Sequence, residues 1–143
     1  MTLLFCDVRG FTTISEQYKS NPQGLTVLIN RLLTPLTGEI LEREGTIDKY
    51  MGDCAMIVFG VPEKDDEHLF HGLCCAVMIQ RLVERLNEHR HAHGQTTVKF
   101  RIGINSGDML AGNLGSRDRM QYTVVGDAVN LASRLSNLSL IHI

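Results

Sequence analysis

The chain has 143 residues, of which 43% are hydrophobic and 21% are charged, and its net charge at pH 7 is −2. This length and balance are typical of one soluble globular domain that buries a substantial core. The charge provides no basic field that would recruit nucleic acid, and the sequence has no signal peptide and no apolar run near the roughly 18 residues that a membrane helix needs. We therefore expect a cytoplasmic domain that does not bind nucleic acid.

The apolar pattern predicts strands and helices in the order β-α-α-β-β-α-β-β-β-α. The predicted elements are a strand over 3–8, a helix over 13–18, a longer helix over 25–41, a hairpin of 46–50 with 55–59, a helix over 69–86, a strand over 98–104, a glycine-rich return over 107–115, a strand over 120–125 and a helix over 127–136. Pro35 lies inside the long helix, and the pattern continues in phase beyond it, so we expect a kink there. Hairpins and crossovers together predict an α+β fold: one mostly antiparallel sheet with helices on one face.

Two aspartates lie where apolar strands end. Asp7 closes the first strand, and Asp53 occupies the turn of the predicted hairpin. Each residue alone has an ordinary interpretation, since Asp caps helices and Gly-Asp is common in turns. Antiparallel neighbours in one sheet can bring both strand ends together, however, and a pair of carboxylates suits two divalent cations about 4 Å apart.

Other polar side chains accompany the two aspartates. Gly10 follows Asp7 and opens a short helix, whose free N–H groups can receive phosphate oxygens. Asn130 and Arg134 are four residues apart and share a face of the last predicted helix, although an exposed pair of this kind is common. Lys49 and Thr123 are compatible with ordinary solvated strand positions.

Four segments together resemble the catalytic domains of class III nucleotide cyclases. They are Phe5-Cys6-Asp7-Val8-Arg9-Gly10-Phe11-Thr12, Lys49-Tyr50-Met51-Gly52-Asp53, Arg101-Ile102-Gly103-Ile104-Asn105-Ser106-Gly107 and the run from Tyr122 to Arg134. The resemblance covers residues 2–137 and implies a ferredoxin-like fold related to polymerase palms. It also implies a homodimer with active sites at the interface, and we expect a sensor or membrane module elsewhere in the parent protein.

The resemblance assigns a role to each candidate residue. It implies that Asp7 and Asp53 hold two Mg²⁺ or Mn²⁺ ions per active site, that Asn130 orients the ribose and that Arg134 stabilises charge at the α-phosphate. It implies that the terminal phosphates of the substrate lie in a backbone cradle made by Val8, Arg9, Gly10, Phe11 and Thr12. A further phosphate-binding arginine precedes the last strand in the family, and Arg117 and Arg119 both remain candidates for it.

Lys49 and Thr123 of the partner subunit would select the base. A lysine donor and a threonine hydroxyl suit adenine, whereas guanylate cyclases usually carry an acidic residue in place of this lysine. The resemblance therefore favours an adenylate cyclase that converts ATP to 3′,5′-cyclic AMP and pyrophosphate. A guanylate cyclase, or a catalytically silent dimer that binds nucleotide and regulates, remain the alternatives.

The end of the chain departs from the family. The family continues past the last predicted helix, into a region that carries a triphosphate-binding lysine. Residues 138–143 do not resemble that region, and a translated sequencing adapter would give such a tail. We therefore predict an incomplete catalytic domain over residues 1–137, followed by a non-family tail over 138–143.

Overall fold

The computed structural model describes residues 1–51 and 53–137. Its elements are β1 (Thr2–Val8), α1 (Phe11–Gln17), α2 (Pro22–Glu42), β2 (Thr46–Met51), β3 (Cys54–Phe59), α3 (His68–Ala92), β4 (Phe100–Ser106), β5 (Leu110–Ser116), β6 (Arg119–Val125) and α4 (Asp127–Ser136). The predicted element order is confirmed, and most boundaries differ by a few residues. The predicted tail lies outside the described residues, so its assignment stays a prediction.

The strands form two antiparallel groups. A four-stranded sheet has the order β2-β3-β1-β4, and β5 pairs with β6 in a separate two-stranded ribbon. The predicted α+β class is confirmed, with two sheets among the described residues in place of the one that the pattern indicated. Strand β1 is hydrogen-bonded on both sides, which places its last residues at the centre of one end of the sheet.

Helices cover both faces of the four-stranded sheet. Leu4 and Cys6 of β1 join the apolar cluster that contains the buried side chains of α2 and α3. Leu3 and Phe5 join a second cluster, which contains Ala132 of α4. The expectation that the helices lie on one face is therefore wrong. Because successive side chains of a strand point to opposite faces, the continuous apolar run over 3–6 of β1 needs a covering layer on each side.

Helix α2 begins at a cap and continues through its proline. The Asn21 side chain accepts a hydrogen bond from the amide of Gly24 at 3.1 Å, and Pro22 occupies the first turn, where a missing N–H costs least. The helix runs past Pro35 to Glu42, as the continuing apolar phase predicted. Its long buried stripe supports the strand that carries Asp7.

Helix α4 is held against the sheet at Gly103 of β4. A Cβ at this position would lie 2.9 Å from Cα of Ser136 and would collide with the carbonyl oxygen of Ala132. The Asn105 amide group also donates a hydrogen bond to the carbonyl of Ala128 at 3.0 Å. A residue without a side chain thus allows α4 to approach the backbone of β4 closely.

Candidate functional site

Asp7 is held by an arginine from the neighbouring strand. It lies directly opposite Arg101 in the β1–β4 ladder and opposite Cys54 in the β1–β3 ladder. The guanidinium of Arg101 donates to both carboxylate oxygens, with Nε–Oδ1 and NH2–Oδ2 distances of 3.1 Å each. The side chain of Asp7 is 13% exposed and that of Arg101 is 27% exposed. This two-pronged pair neutralises and orients the carboxylate in a partly desolvated place.

Asp53 lies at the same end of the sheet, in the turn immediately before β3. It also lines an apolar cleft together with Val8 and Phe11. The pKa of the Cys54 thiol is raised to about 11, mainly by burial and to a lesser extent by the nearby carboxylates of Asp7 and Asp53. Asp7 is paired with Cys54 across the ladder and Asp53 directly precedes Cys54 in the chain, so both aspartates lie next to one residue at this end of the sheet.

The two carboxylates provide the oxygen ligands that Mg²⁺ and Mn²⁺ prefer. Asp53 forms no hydrogen bond or ion pair among the described residues, so its oxygens are available. Both oxygens of Asp7 accept hydrogen bonds from Arg101, so a cation would compete with that guanidinium. The residues thus fit a divalent cation, provided that the carboxylate of Asp7 turns from Arg101 toward it.

A different group of potential metal ligands lies near the start of α3. Ligand atoms of Glu44, Asp65 and His71 come within 4.8 Å of one another. Nδ1 of His71 lies 2.6 Å from Oδ2 of Asp65, and this hydrogen bond raises the pKa of His71 and lowers the pKa of Asp65. The sequence pattern did not predict this cluster, since Glu44 belongs to a segment well before Asp65 and His71. The internal hydrogen bond accounts for the close approach of the two side chains.

The loop after β1 prepares only part of the predicted phosphate cradle. Gly10 has a φ of +70°, a left-handed conformation that favours glycine, and α1 begins directly after it at Phe11. The amide of Arg9 donates to the carbonyl of Lys99 at 2.7 Å, and Val8 is paired with Phe100 in the ladder. The amides in the first turn of α1 have no acceptor within the helix. The N–H groups available for an anion therefore begin after Arg9.

Lys49 and Thr123 are distant in sequence, but both side chains approach the carboxylate of Asp48, a residue that the sequence pattern did not single out. The hydroxyl of Thr123 donates to Oδ2 of Asp48 at 2.7 Å, and Nζ of Lys49 lies 3.6 Å from the same oxygen. The side chain of Asp48 is only 5% exposed. The one signal available in the sequence was an acidic residue next to the candidate recognition lysine.

Asn130 and Arg134 lie on the exposed face of α4. They are one helical turn apart, and Ala132 and Ser136, which are buried, occupy the opposite side of the helix. Both side chains therefore point away from the four-stranded sheet that carries Asp7. Within the described part of the chain, no hydrogen bond or ion pair joins them to Asp7 or Asp53.

Arg117 and Arg119 are both exposed, at the end of the β5–β6 ribbon. Arg119 is paired with Ser116 at the last position of the ladder, and Arg117 lies in the connecting turn. The structure thus places them next to each other and leaves both as candidates for a phosphate contact.

No helix in the described ranges, 1–51 and 53–137, is long and apolar enough to cross a membrane. The expected cytoplasmic location stays a prediction.

Comparisons with known proteins give one consistent family. The family described as adenylate and guanylate cyclase catalytic domain matches residues 1–142. This match extends into the predicted tail, and the domain boundary at residue 137 stays a prediction. The chain is 36% identical over 143 residues to an adenylate cyclase of Anabaena cylindrica, with 97% of this chain and 27% of that protein covered.

Solved structures of cyclases have the same fold. The adenylyl cyclase CyaB from P. aeruginosa is similar with a TM-score of 0.87 and 37% identity, covering 94% of this chain and 69% of that chain. The guanylyl cyclase Cya2 is similar with a TM-score of 0.85 and 34% identity, covering 94% of this chain and 68% of that chain. The chain spans about a quarter of the length of the curated relatives that it matches. It belongs to the family of adenylate and guanylate cyclase catalytic domains.

Proposed function

We propose that this domain is the catalytic part of an adenylate cyclase, which converts ATP to 3′,5′-cyclic AMP and pyrophosphate. The observation that carries the proposal is the meeting of Lys49 and Thr123 on one buried carboxylate. An ammonium donor beside a hydroxyl suits the N1 acceptor and the 6-amino donor of adenine. Membership of the cyclase family supplies the reaction class.

The phosphates would be bound at the end of β1. The free amides in the first turn of α1 would hold the terminal phosphates, because the N-terminus of a helix attracts anions. When bound by Asp7 and Asp53, two Mg²⁺ or Mn²⁺ ions would polarise the α-phosphate and activate the ribose 3′-hydroxyl. Whichever of Arg117 and Arg119 reaches the substrate would add positive charge beside the polyphosphate.

Asn130 and Arg134 would complete the site from a second copy of the chain. Their exposed positions on α4 point away from the sheet that carries Asp7, which supports a site shared between two subunits. Asn130 would orient the ribose, and Arg134 would neutralise charge at the α-phosphate as the 3′-oxygen bonds to phosphorus and pyrophosphate leaves. Such positioning and charge neutralisation supply most of the catalysis in phosphoryl transfer.

A direct test measures cyclic AMP formed from Mn·ATP and cyclic GMP formed from Mn·GTP under the same conditions. We expect the wild type to prefer ATP and Asp7→Ala to lose activity. Asp66→Asn is the matched control, because Asp66 is an exposed aspartate whose one ion pair among the described residues is with Lys64, at 3.3 Å. Binding of ATP without any product would instead support a silent nucleotide-binding module.

Mixing two inactive variants tests the shared site. Asp7→Ala and Arg134→Ala each remove a group from every site in a homodimer. A mixed dimer, however, retains one site with both groups intact, so random mixing should restore about a quarter of wild-type activity. Absence of recovery, with mixed dimers demonstrated, would place all the groups in one chain and contradict the shared site.

Guanylate cyclase is the second candidate, favoured by the similarity to Cya2, which is described as a guanylyl cyclase. Replacing Lys49 by Glu and Thr123 by Cys tests the base assignment. If the present pair reads adenine, the double variant should move its preference toward GTP, because the donor and acceptor pattern facing the base changes. An unchanged preference would count against the role of both residues.

A further inference from the structure

Asp48 joins the two side chains that we assign to base recognition. Its Oδ2 accepts the hydroxyl proton of Thr123 at 2.7 Å and lies 3.6 Å from Nζ of Lys49. Asp48 belongs to β2 and Thr123 to β6, so this contact connects the four-stranded sheet to the separate ribbon. The Asp48 side chain is only 5% exposed, and burying a carboxylate costs free energy unless a paired charge and a hydrogen bond offset it. Lys49 and Thr123 supply these two interactions.

An irregularity in β2 allows this arrangement. The ladder between β2 and β3 shifts register between Ile47 and Lys49, which pair with the consecutive residues Ile57 and Met56, so Asp48 is an extra residue in β2 at this point. In a regular strand, consecutive side chains point to opposite faces, whereas an extra residue in one strand re-aims its side chain. This shift lets the adjacent residues Asp48 and Lys49 act at the same place.

The contact fixes which partner donates. A carboxylate accepts hydrogen bonds only, so the single hydroxyl proton of Thr123 is committed to Asp48. The oxygen of Thr123 can then only accept from a ligand, while the ammonium of Lys49 can only donate. The cluster therefore presents one acceptor and one donor, both next to Oδ2 of Asp48. Asp48 and Thr123 line a cleft together with Ile47 and Tyr122.

We propose that Asp48 is a positioning residue that sets the hydrogen-bond polarity of this cleft and thereby selects adenine over guanine. The inference rests on the proposed function of Lys49 and Thr123. Adenine offers a 6-amino donor to the oxygen of Thr123 and an N1 acceptor to Lys49. Guanine at the same place offers the O6 acceptor to an acceptor and the N1–H donor to a donor. An asparagine at position 48 offers an NH2 donor as well as an oxygen acceptor, so Thr123 can accept from it and donate its own proton to the ligand, and the polarity is no longer fixed.

The test measures binding of 3′-deoxy-ATP and 3′-deoxy-GTP with Mn²⁺ by calorimetry, using the full chain. These nucleotides lack the attacking hydroxyl, so binding is read without turnover. We expect the wild type to bind the adenine nucleotide more tightly, and Asp48→Asn to reduce the ratio of the two affinities about tenfold, since a mismatched or unmade hydrogen bond at a buried site has effects of this size. Asp66→Asn, which alters an exposed aspartate–lysine pair, should leave the ratio unchanged.

A double-mutant cycle separates positioning from a general structural effect. In a Thr123→Val background the hydroxyl is absent, so Asp48→Asn should change the affinity ratio less than it does in the wild type. Equal losses for both nucleotides, an unchanged ratio, or a wild type that binds neither nucleotide or prefers the guanine one would overturn the role of Asp48. A thermal melt establishes beforehand that each variant is folded at the temperature of the binding measurement.

The two proposals fail in different ways. A protein that cyclises ATP but keeps its adenine preference in Asp48→Asn refutes the role of Asp48 and leaves the adenylate cyclase assignment intact. A protein that prefers 3′-deoxy-ATP, loses that preference in Asp48→Asn and yet forms no cyclic product refutes the enzymatic assignment and supports the role of Asp48.

Discussion

Replacing Gly103 by alanine should disturb both stability and catalysis, because α4 rests on this residue. The new Cβ would lie 2.9 Å from Cα of Ser136, and ordinary carbon contacts begin at 3.4 Å, so the helix must retreat by at least 0.5 Å (3.4 − 2.9). The collision is with helix backbone, which cannot rotate out of the way as a flexible side chain could. Overpacking of this kind costs about 1–3 kcal/mol of unfolding free energy.

The same shift should reach the proposed catalytic groups. Asn130 and Arg134 are on α4, and a displacement near 1 Å in a positioning group can lower turnover by about a hundredfold. We therefore expect Gly103→Ala to reduce kcat by roughly ten- to a hundredfold, while the ATP:GTP preference set by Lys49 and Thr123 stays the same. Thermal unfolding monitored by circular dichroism and steady-state cyclase kinetics measure the two effects.

Gly38→Ala is the matched control. Gly38 lies inside α2, is exposed, and has no atom within 4 Å of the position that a Cβ would take. Alanine there should stabilise the protein by about 0.5–1 kcal/mol, because glycine is a poor helix residue, and it should leave kcat unchanged. A Gly103→Ala variant with wild-type melting temperature and wild-type kcat would refute the argument that α4 is seated on this glycine.

Three further perturbations address the charged groups. Arg101→Gln removes the partner of the Asp7 carboxylate, so the unfolding free energy without metal should fall by about 1–3 kcal/mol. Because the metal no longer competes with the arginine, Mn²⁺ should raise the melting temperature of this variant more than that of the wild type. Equal shifts in melting temperature would contradict competition between arginine and metal. The Asp65 hydrogen bond raises the pKa of His71, and the same bond lowers the pKa of Asp65. The pair therefore stabilises the fold fully between the ordinary values of about 4 and 6.5, with the histidine part lost as pH rises through its raised pKa and the aspartate part lost as pH falls through its lowered pKa. An NMR titration should give a midpoint for His71 that falls in Asp65→Asn, and an unchanged midpoint would contradict this cause. Burial and two nearby carboxylates raise the pKa of Cys54 to about 11, so iodoacetamide should alkylate this thiol slowly at pH 8. Saturating Mg²⁺ should speed the reaction if the cation neutralises those carboxylates. Mass spectrometry of the modified peptide measures the rate.

Patterns within single segments were sufficient to predict the element order. Apolar runs of strand length, the long helical stripe and the glycine-rich returns are local signals, and each corresponds to an observed element. The position of Asp7 at the end of a strand and that of Asp53 in the adjoining turn were predictable for the same reason. Their closeness followed from one assumption, that the hairpin pairs with the first strand, and the ladder between β1 and β3 bears it out.

Features that depend on register between distant strands were not predictable. The partner of Asp7 is Arg101, and this pairing depends on how β1 and β4 align, which periodicity does not specify. Asp48 was missed because its role depends on a register shift in β2, and a regular strand would have turned it away from Lys49. The apolar run of β1 requires cover on both faces of the sheet, but the choice of α4 as the second cover depends on its close approach at Gly103, a contact between distant segments.

The two acidic side chains are anchored very differently, and this has a consequence for cation choice. Asp7 belongs to a strand bonded to neighbours on both sides, whereas Asp53 lies beyond the last paired residue of its hairpin. In a site with two metal ions, the backbone of Asp7 would be held in place by the sheet, whereas the backbone of Asp53 could rotate more freely. Replacement of Mg²⁺ by an ion of larger radius should then be accommodated by rotation at the turn, with the central strand unmoved.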